Sequence, residues 1–329
     1  MATIARKVRA GLVQMTSVND VAANLRSCSQ LVADAVGRGC EIVFFPECFS
    51  FIGAAAGEAQ KAAEPLTGPV MQRYLELAKQ HAVWLSLGGF QERVEGEERI
   101  YNTHVVVDTS GTIRAAYRKI HLYDVPMVGL VESKQALAGS ELVCCDSVAG
   151  RLGVTICYDM RFPELYQKLT FMHGAEVLLV PSASPSPSPN PNPNPNPNPY
   201  PNQVLLMPSA FAVKTGEAHW ETLLRCRAIE TQCYVVAAAQ AGQHNTDGNQ
   251  RRSYGHSLAF DPWGKCIARL DDPHATGVAT FEIDAELLRS TRQNMPMHEH
   301  RRYDLYGDGP HQTAKEDAAD KGTEGMFFG

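Results

Sequence analysis

The sequence predicts an α/β protein: a mixed sheet system with helices outside it. Three observations carry that reading. Apolar runs of strand length alternate with amphipathic stretches of helix length along the 329 residues. Strands arrive both in βα order and as hairpins, so parallel and antiparallel pairs should coexist. A composition of 44% hydrophobic and 20% charged residues supplies a sizeable core and excludes disorder for most of the chain.

In chain order, residues 8–15 read as a strand. Residues 19–39 read as a helix, because Val21, Ala22, Leu25, Leu31, Val32 and Val36 fall at near-helical spacing behind a cap at Asn19 or Asp20. EIVFFP at 41–46 is a short strand, apolar from Ile42 onward. A helix over 68–82 precedes a strand at 84–89, and 104–107 with 113–117 form a hairpin across Asp108-Thr109-Ser110-Gly111. Next come a buried-type strand at 152–156, a helix over 163–173 with Pro163 in its first turn, and a strand at 177–180. A long helix at 215–232, a strand at 234–239, a hairpin of 257–260 with 266–270, a strand at 277–283 and a helix at 285–295 end the folded part.

One segment breaks the alternation. From Pro181 to Pro201 the chain holds ten of its twenty prolines, alternating with Ser and then Asn. Such a run supports neither helix nor ladder hydrogen bonds and should be extended, solvated coil. It reads either as a partner-binding loop or, preferably, as a tolerated low-complexity insertion over about 181–203. Near-identical heptapeptides flank it, VLLVPSA at 177–183 and VLLMPSA at 204–210. Only one copy can fill the sheet slot before the helix at 215. The second is expected there, because the first would send the proline tract out over the carboxyl end of the sheet, where ligands of open α/β sheets bind.

The net charge is −6, half of it in the tail 308–329, which reads as acidic and disordered. The remainder is near neutral, with no basic stripe for nucleic acid. No apolar run approaches the roughly 18–20 residues of a membrane span. Nine scattered cysteines read as free thiols in a reducing cytosol, and Met1 to Lys7 lead straight into the first strand, so no targeting peptide is expected. Dinucleotide, P-loop and serine-elbow motifs do not occur in suitable contexts.

Three ionisable or nucleophilic groups stand at strand exits. Cys157 follows a buried strand and precedes a Pro-started helix, where backbone N–H groups should lower a thiol pKa and could hold an oxyanion. Glu47 directly follows EIVFFP, and Lys119 follows the strand at 113–117. Taken singly, Cys157 could be a small core residue, Glu47 a rim ion pair and Lys119 a solvated face. Nucleophile, base and cation together argue for chemistry. Arg161 is expected to bridge Asp159 or Glu164 in preference to a substrate carboxylate. His298-Glu299-His300 does not share a helix face, so no metal site is expected there.

Several ordered motifs now give the chain a resemblance. FFPE at 44–47, YRKIHL at 117–122 and CYDMRFPEL at 157–165 resemble the signature regions of the nitrilase superfamily. PSAF at 208–211, GEAHWETLLRCRAIE at 216–230, YGHS at 254–257, DPWG at 261–264 and RRYDLYG at 301–307 extend it along the chain. RAIETQCYVVAAAQ followed by SYGHSLAFDPWG is most similar to the Nit branch, whose activity is hydrolysis of deaminated glutathione. The resemblance implies a four-layer αββα sandwich in one domain over 1–307, paired into a dimer or higher homo-oligomer. It implies Glu47 as general base, Lys119 as cation, Cys157 as nucleophile and Glu132 as support for the lysine. Tyr158, Arg161 and Phe211 would contact a small amide substrate, with no cofactor or metal. The alternatives are an ω-amidase acting on α-ketoglutaramate, and a catalytically idle interaction protein of the same fold.

Overall fold

Strands that are apolar on both faces need cover on both faces, and this decides the architecture. The computed structural model describes residues 7–125, 130–171, 202–248 and 250–306. β1 (Lys7–Met15), α1 (Val21–Gly37), β2 (Ile42–Phe45), α2 (Glu58–Ala62), α3 (Pro69–His81), β3 (Trp84–Glu92), β4 (Ile100–Val107) and β5 (Ile113–Arg118) form most of one sheet and its helices. Short strands β6 (Asp124–Val125), β7 (Leu130–Val131) and β8 (Ala136–Leu137) follow. The second sheet begins with β9 (Val143–Ser147) and β10 (Gly150–Val154), then continues through α4 (Pro163–Phe171), β11 (Asn202–Leu206), α5 (Val213–Thr231) and β12 (Tyr234–Ala237). β13 (Ala239–Gln243) and β14 (Arg252–Tyr254) belong to the first sheet, β15 (Leu258–Phe260) and β16 (Cys266–Arg269) to the second. β17 (Gly277–Asp284), α6 (Ala285–Asn294) and α7 (Tyr303–Tyr306) complete the described chain.

The first sheet runs β14-β13-β1-β2-β3-β4-β5, with β17 antiparallel to β1; the second runs β16-β15-β12-β11-β10-β9. Successive residues of a strand point to opposite faces, so each central strand feeds two cores. Ile42 and Phe44 join Val154, Leu206 and Val236 between the sheets. Val43 and Phe45 pack the other way, onto Leu31 and Val32 of α1 and Tyr74 and Leu77 of α3. On the far side Leu205 and Val235 meet Tyr166 of α4 and Trp220 and Leu224 of α5. Three cores separate four layers, αββα, and each buried Leu or Phe contributes about 1.5–3 kcal/mol.

Two outcomes bear on the site. β11 lies parallel between β10 and β12, with Leu206 opposite Val154 and Val236, so the second heptapeptide copy fills the slot as expected. The strand expected at 234–239 instead splits at Ala238: β12 pairs with β11 and β13 with β1, so the chain crosses from one sheet to the other. A run of small alanines carries no periodicity that could signal the crossing. The first copy, the strand expected at 177–180, the proline tract and the acidic tail lie outside the described residues. Among the described residues no helix is long and apolar enough to cross a membrane.

Candidate active site

The segment after β10 is held by the neighbouring strand. Thr155 donates through its N–H (3.2 Å) and Oγ1 (2.7 Å) to the Leu206 carbonyl, and the Cys157 N–H donates to the Pro208 carbonyl at 2.9 Å. Cys157 is thereby pinned at φ 47°, in the left-handed region. A residue with a side chain occupies that region at a cost of about 1–3 kcal/mol, a strain typical of functional turns. A 3₁₀ turn over Cys157–Arg161 follows, and α4 starts at Pro163.

At the centre of the turn sits Asp159, fully buried. Its carboxylate accepts from the Ile156 N–H (2.9 Å), the Tyr117 hydroxyl (2.7 Å) and the His121 N–H (3.2 Å), and lies 2.8 Å from His121 Nδ1. Tyr117 and His121 flank Lys119, so Asp159 ties the cysteine turn to the lysine segment.

Glu47 follows β2 and is buried. Its Oε1 accepts from Asn102 Nδ2 at 2.8 Å and Lys119 Nζ at 3.1 Å; its Oε2 accepts from the Ala210 N–H at 3.0 Å. Gln240 Nε2 donates to the Glu47 carbonyl at 3.0 Å. Two glycines make the room. A Cβ at Gly89 would lie 2.6 Å from Asn102 Oδ1, and one at Gly88 would lie 2.2 Å from Pro208 Cβ. The β3–β4 register slips across this pair.

Lys119, almost fully buried, donates to Glu47 and also to both oxygens of Glu132, at 3.1 and 2.9 Å. Glu132 stands on a 3₁₀ turn after β7 and accepts from the Tyr123 N–H at 2.7 Å. Burial opposes both charges of the central pair, but pairing prevails. Burial raises the Glu47 pKa, yet Lys119, then Arg251, then hydrogen bonds from Cys157 and Lys119 hold its carboxyl below the usual range. Burial likewise works against the Lys119 ammonium, and Glu47 and Glu132 keep it protonated well above the ordinary lysine value.

The Cys157 thiol stands beside the Glu47 carboxylate, close enough for each to shift the other's titration. Its pKa is pushed up, first by burial and then by the adjacent Glu47 charge, against a smaller opposing pull from Lys119. This corrects the expectation that turn N–H groups would lower it: burial, and then a charge brought from another strand, outweigh the local dipoles. At neutral pH the group is a thiol, and its proton has an ionised carboxylate, Glu47, beside it.

Arg161 forms neither expected local ion pair, because Asp159 is engaged by its other donors. Its guanidinium lies 5.7 Å from the Tyr158 ring and 5.4 Å from that of Phe211, and 3.3 Å from His219 Nδ1. Among the described residues no carboxylate pairs with it. Tyr158 stands edge-on to Tyr123 at 4.9 Å, and Phe211 is buried against Trp220 at 5.1 Å. Asn102, Gln240 and Arg251 escaped the sequence reading. Asn102 lies just before the hairpin strand expected at 104–107, in a stretch of mixed residues.

A carbon–nitrogen hydrolase family model matches residues 9–293. The chain belongs to the carbon–nitrogen hydrolase family. This hydrolase is 41% identical over 308 residues to the deaminated glutathione amidase of Dictyostelium discoideum, spanning 91% of this chain and 95% of that protein. It is 42% identical over 305 residues to the Homo sapiens protein of the same name, covering 91% and 83% of the two. Among solved structures, Saccharomyces cerevisiae Nit3, a member of branch 10 of the nitrilase superfamily, matches with a TM-score of 0.73 at 28% identity, over 92% of this chain and 99% of that one. The hydrolase thus carries the sandwich fold and the nitrilase-superfamily membership that its motifs resembled. Among the described residues its nine cysteines form no disulfide. Among the described residues no three His, Cys, Asp or Glu side chains are grouped to hold a metal ion.

Proposed function

We propose that this hydrolase cleaves the amide of deaminated glutathione to 2-oxoglutarate and cysteinylglycine, with Glu47 as base, Lys119 as electrophile, Cys157 as nucleophile and Glu132 as the group that holds the lysine. Glu47 takes the Sγ proton as sulfur attacks the amide carbonyl. The Lys119 ammonium and the Tyr158 N–H stabilise the tetrahedral oxyanion, each good donor being worth about 3–4 kcal/mol. The C–N bond then breaks, the amine leaves with the proton from Glu47, and a thioester remains on Cys157. Water attacks that thioester while Glu47 takes its proton; the C–S bond breaks and the proton returns to sulfur. Arg161, between the Tyr158 and Phe211 rings and free of a carboxylate, would hold the keto-acid carboxylate of the acyl half.

The observation that carries the reading is the cluster in which one buried carboxylate pairs with the lysine ammonium at 3.1 Å and stands beside the cysteine thiol. The names of the relatives at 41–42% identity support the choice of amide. We assign the activity to metabolite repair by a cytosolic homo-oligomer. Nine cysteines without a disulfide among the described residues support that compartment, and the exposed Trp263 and Ile229 give an apolar surface for self-association. The test is a substrate pair. Deaminated glutathione should be hydrolysed with a higher kcat/KM than α-ketoglutaramate, and acid-quenched protein should carry an acyl adduct on Cys157. The reverse preference would make the protein an ω-amidase, and no turnover of either would remove the enzymatic reading.

A further inference from the structure

We infer that Arg251 is a second substrate-binding cation, one that holds the terminal carboxylate of the departing peptide and selects peptide-like amides over primary amides. The inference rests on the proposed reaction and adds to it a determinant of the leaving group. Arg251 immediately precedes β14. Its backbone is fixed, since its carbonyl accepts from the His244 N–H at 3.0 Å and Ser253 bridges to Ala212. The side chain is half-buried, and its Nη2 donates to the Ala210 carbonyl at 2.8 Å. The N–H of that same Ala210 donates to Glu47 Oε2 at 3.0 Å. The guanidinium thus stands two hydrogen bonds and one residue from the base, and its charge is felt by both Glu47 and Cys48.

Among the described residues no carboxylate lies within ion-pair distance of Arg251, and the bond to Ala210 is the one hydrogen bond of its side chain. A guanidinium carries five N–H donors in a planar fork suited to a carboxylate, so a half-buried one with a single acceptor is a ready anion site. The direction of the chemistry says which anion. The acyl half stays on Cys157, whose own turn carries Arg161. The amine half must receive its proton from Glu47 and therefore departs on the Glu47 side, where Arg251 stands. From its scissile nitrogen, cysteinylglycine extends two residues, about 7 Å, to its carboxylate, a reach of the same order as the path from Glu47 through Ala210 to the guanidinium. Ammonia, the leaving group of α-ketoglutaramate, offers Arg251 nothing.

The experiment compares deaminated glutathione with its C-terminal carboxamide, which keeps the scissile amide and the acyl half but lacks the terminal charge. Both are assayed with wild type, Arg251→Gln and Arg251→Lys. Wild type should prefer the free acid. Arg251→Gln should lower kcat/KM on the acid about 10–100-fold more than on the carboxamide, mainly through KM, as expected for losing a charge-assisted hydrogen bond. Arg251→Lys should restore part of the preference. A wild type indifferent to the terminal charge, or equal losses on the two substrates in Arg251→Gln, would overturn the assignment and leave Arg251 as a support for Ala210 and Glu47. A wild type that cleaves neither compound overturns the underlying reaction, and this inference with it.

Discussion

Asp159 and Glu47 are both carboxylates buried beside the segment 117–121, and their partners differ in kind. Asp159 meets two backbone N–H groups, a tyrosine hydroxyl and a histidine ring, all anchored in the fold. Glu47 meets an asparagine and one backbone N–H, but also an ammonium and a thiol. A buried carboxylate whose donors are fixed is a strut, since nothing around it can change during a reaction. One that shares a thiol proton under the field of a lysine can accept that proton and return it. The first builds the geometry in which the second works.

The largest expected effect comes from removing the exchangeable partners. Glu47→Gln and Cys157→Ala should each lower single-turnover hydrolysis of deaminated glutathione by at least about 10³-fold, without additivity in the double variant. The melting temperature of Cys157→Ala should stay close to wild type, whereas Glu47→Gln, which takes a charged partner from the buried Lys119 ammonium, should also lower it. Substantial residual turnover in either would remove Glu47 or Cys157 from the chemistry. Asp159→Asn should act in the opposite sense, on the fold. It turns an amide toward donors that need an acceptor, each loss costing about 1–3 kcal/mol, readable as a lower denaturant midpoint. A stable Asp159→Asn protein that lost only kcat would dissolve the contrast.

A third buried group sharpens it by pH. His104, within β4, bonds the Thr155 carbonyl at 3.0 Å and Ser86 Oγ at 2.7 Å, and burial lowers its pKa to about 4. Unfolded, it titrates near its ordinary 6.5. Between those values the unfolded chain holds a proton that the folded one does not, so stability falls as pH drops through the window, by up to about 3 kcal/mol. Urea titrations from pH 7 to pH 4 should show the decline, and His104→Asn should make it shallower; an unchanged slope would mean that other groups govern it. The smallest effect concerns the proposed base. Glu47 is ionised above a depressed pKa, so kcat/KM should stay flat down to about pH 5 in assays that outrun acid unfolding, and fall only below the usual carboxylate range. An acid limb near neutrality would point to another base.

Most of the central strands and the long helices were legible because their signals are local. Largely apolar runs such as 42–45 and 152–156 can be satisfied only between two cores, and the turn at Cys157–Arg161 ends the second. The short strands β6 to β9 were not legible, because two to five mixed residues have no period to read. The positions of Glu47 and Cys157 at strand exits followed from the same local patterns, and the Lys119 and Glu132 roles from motif resemblance.

By itself, then, the sequence determined which segments are buried strands and which groups stand at their ends, since both depend on neighbours a few residues away. Whether Lys119 is a solvated face or a buried cation was decided only in three dimensions, by carboxylates 72 and 13 residues distant along the chain. The crossing at Ala238 was decided there too, through pairing of β13 with β1 more than two hundred residues earlier. So were the raised pKa of the Cys157 thiol and the place of Arg251 beside Ala210. Charge and desolvation act through space, and the distances that set them exist only once the two sheets have closed on each other.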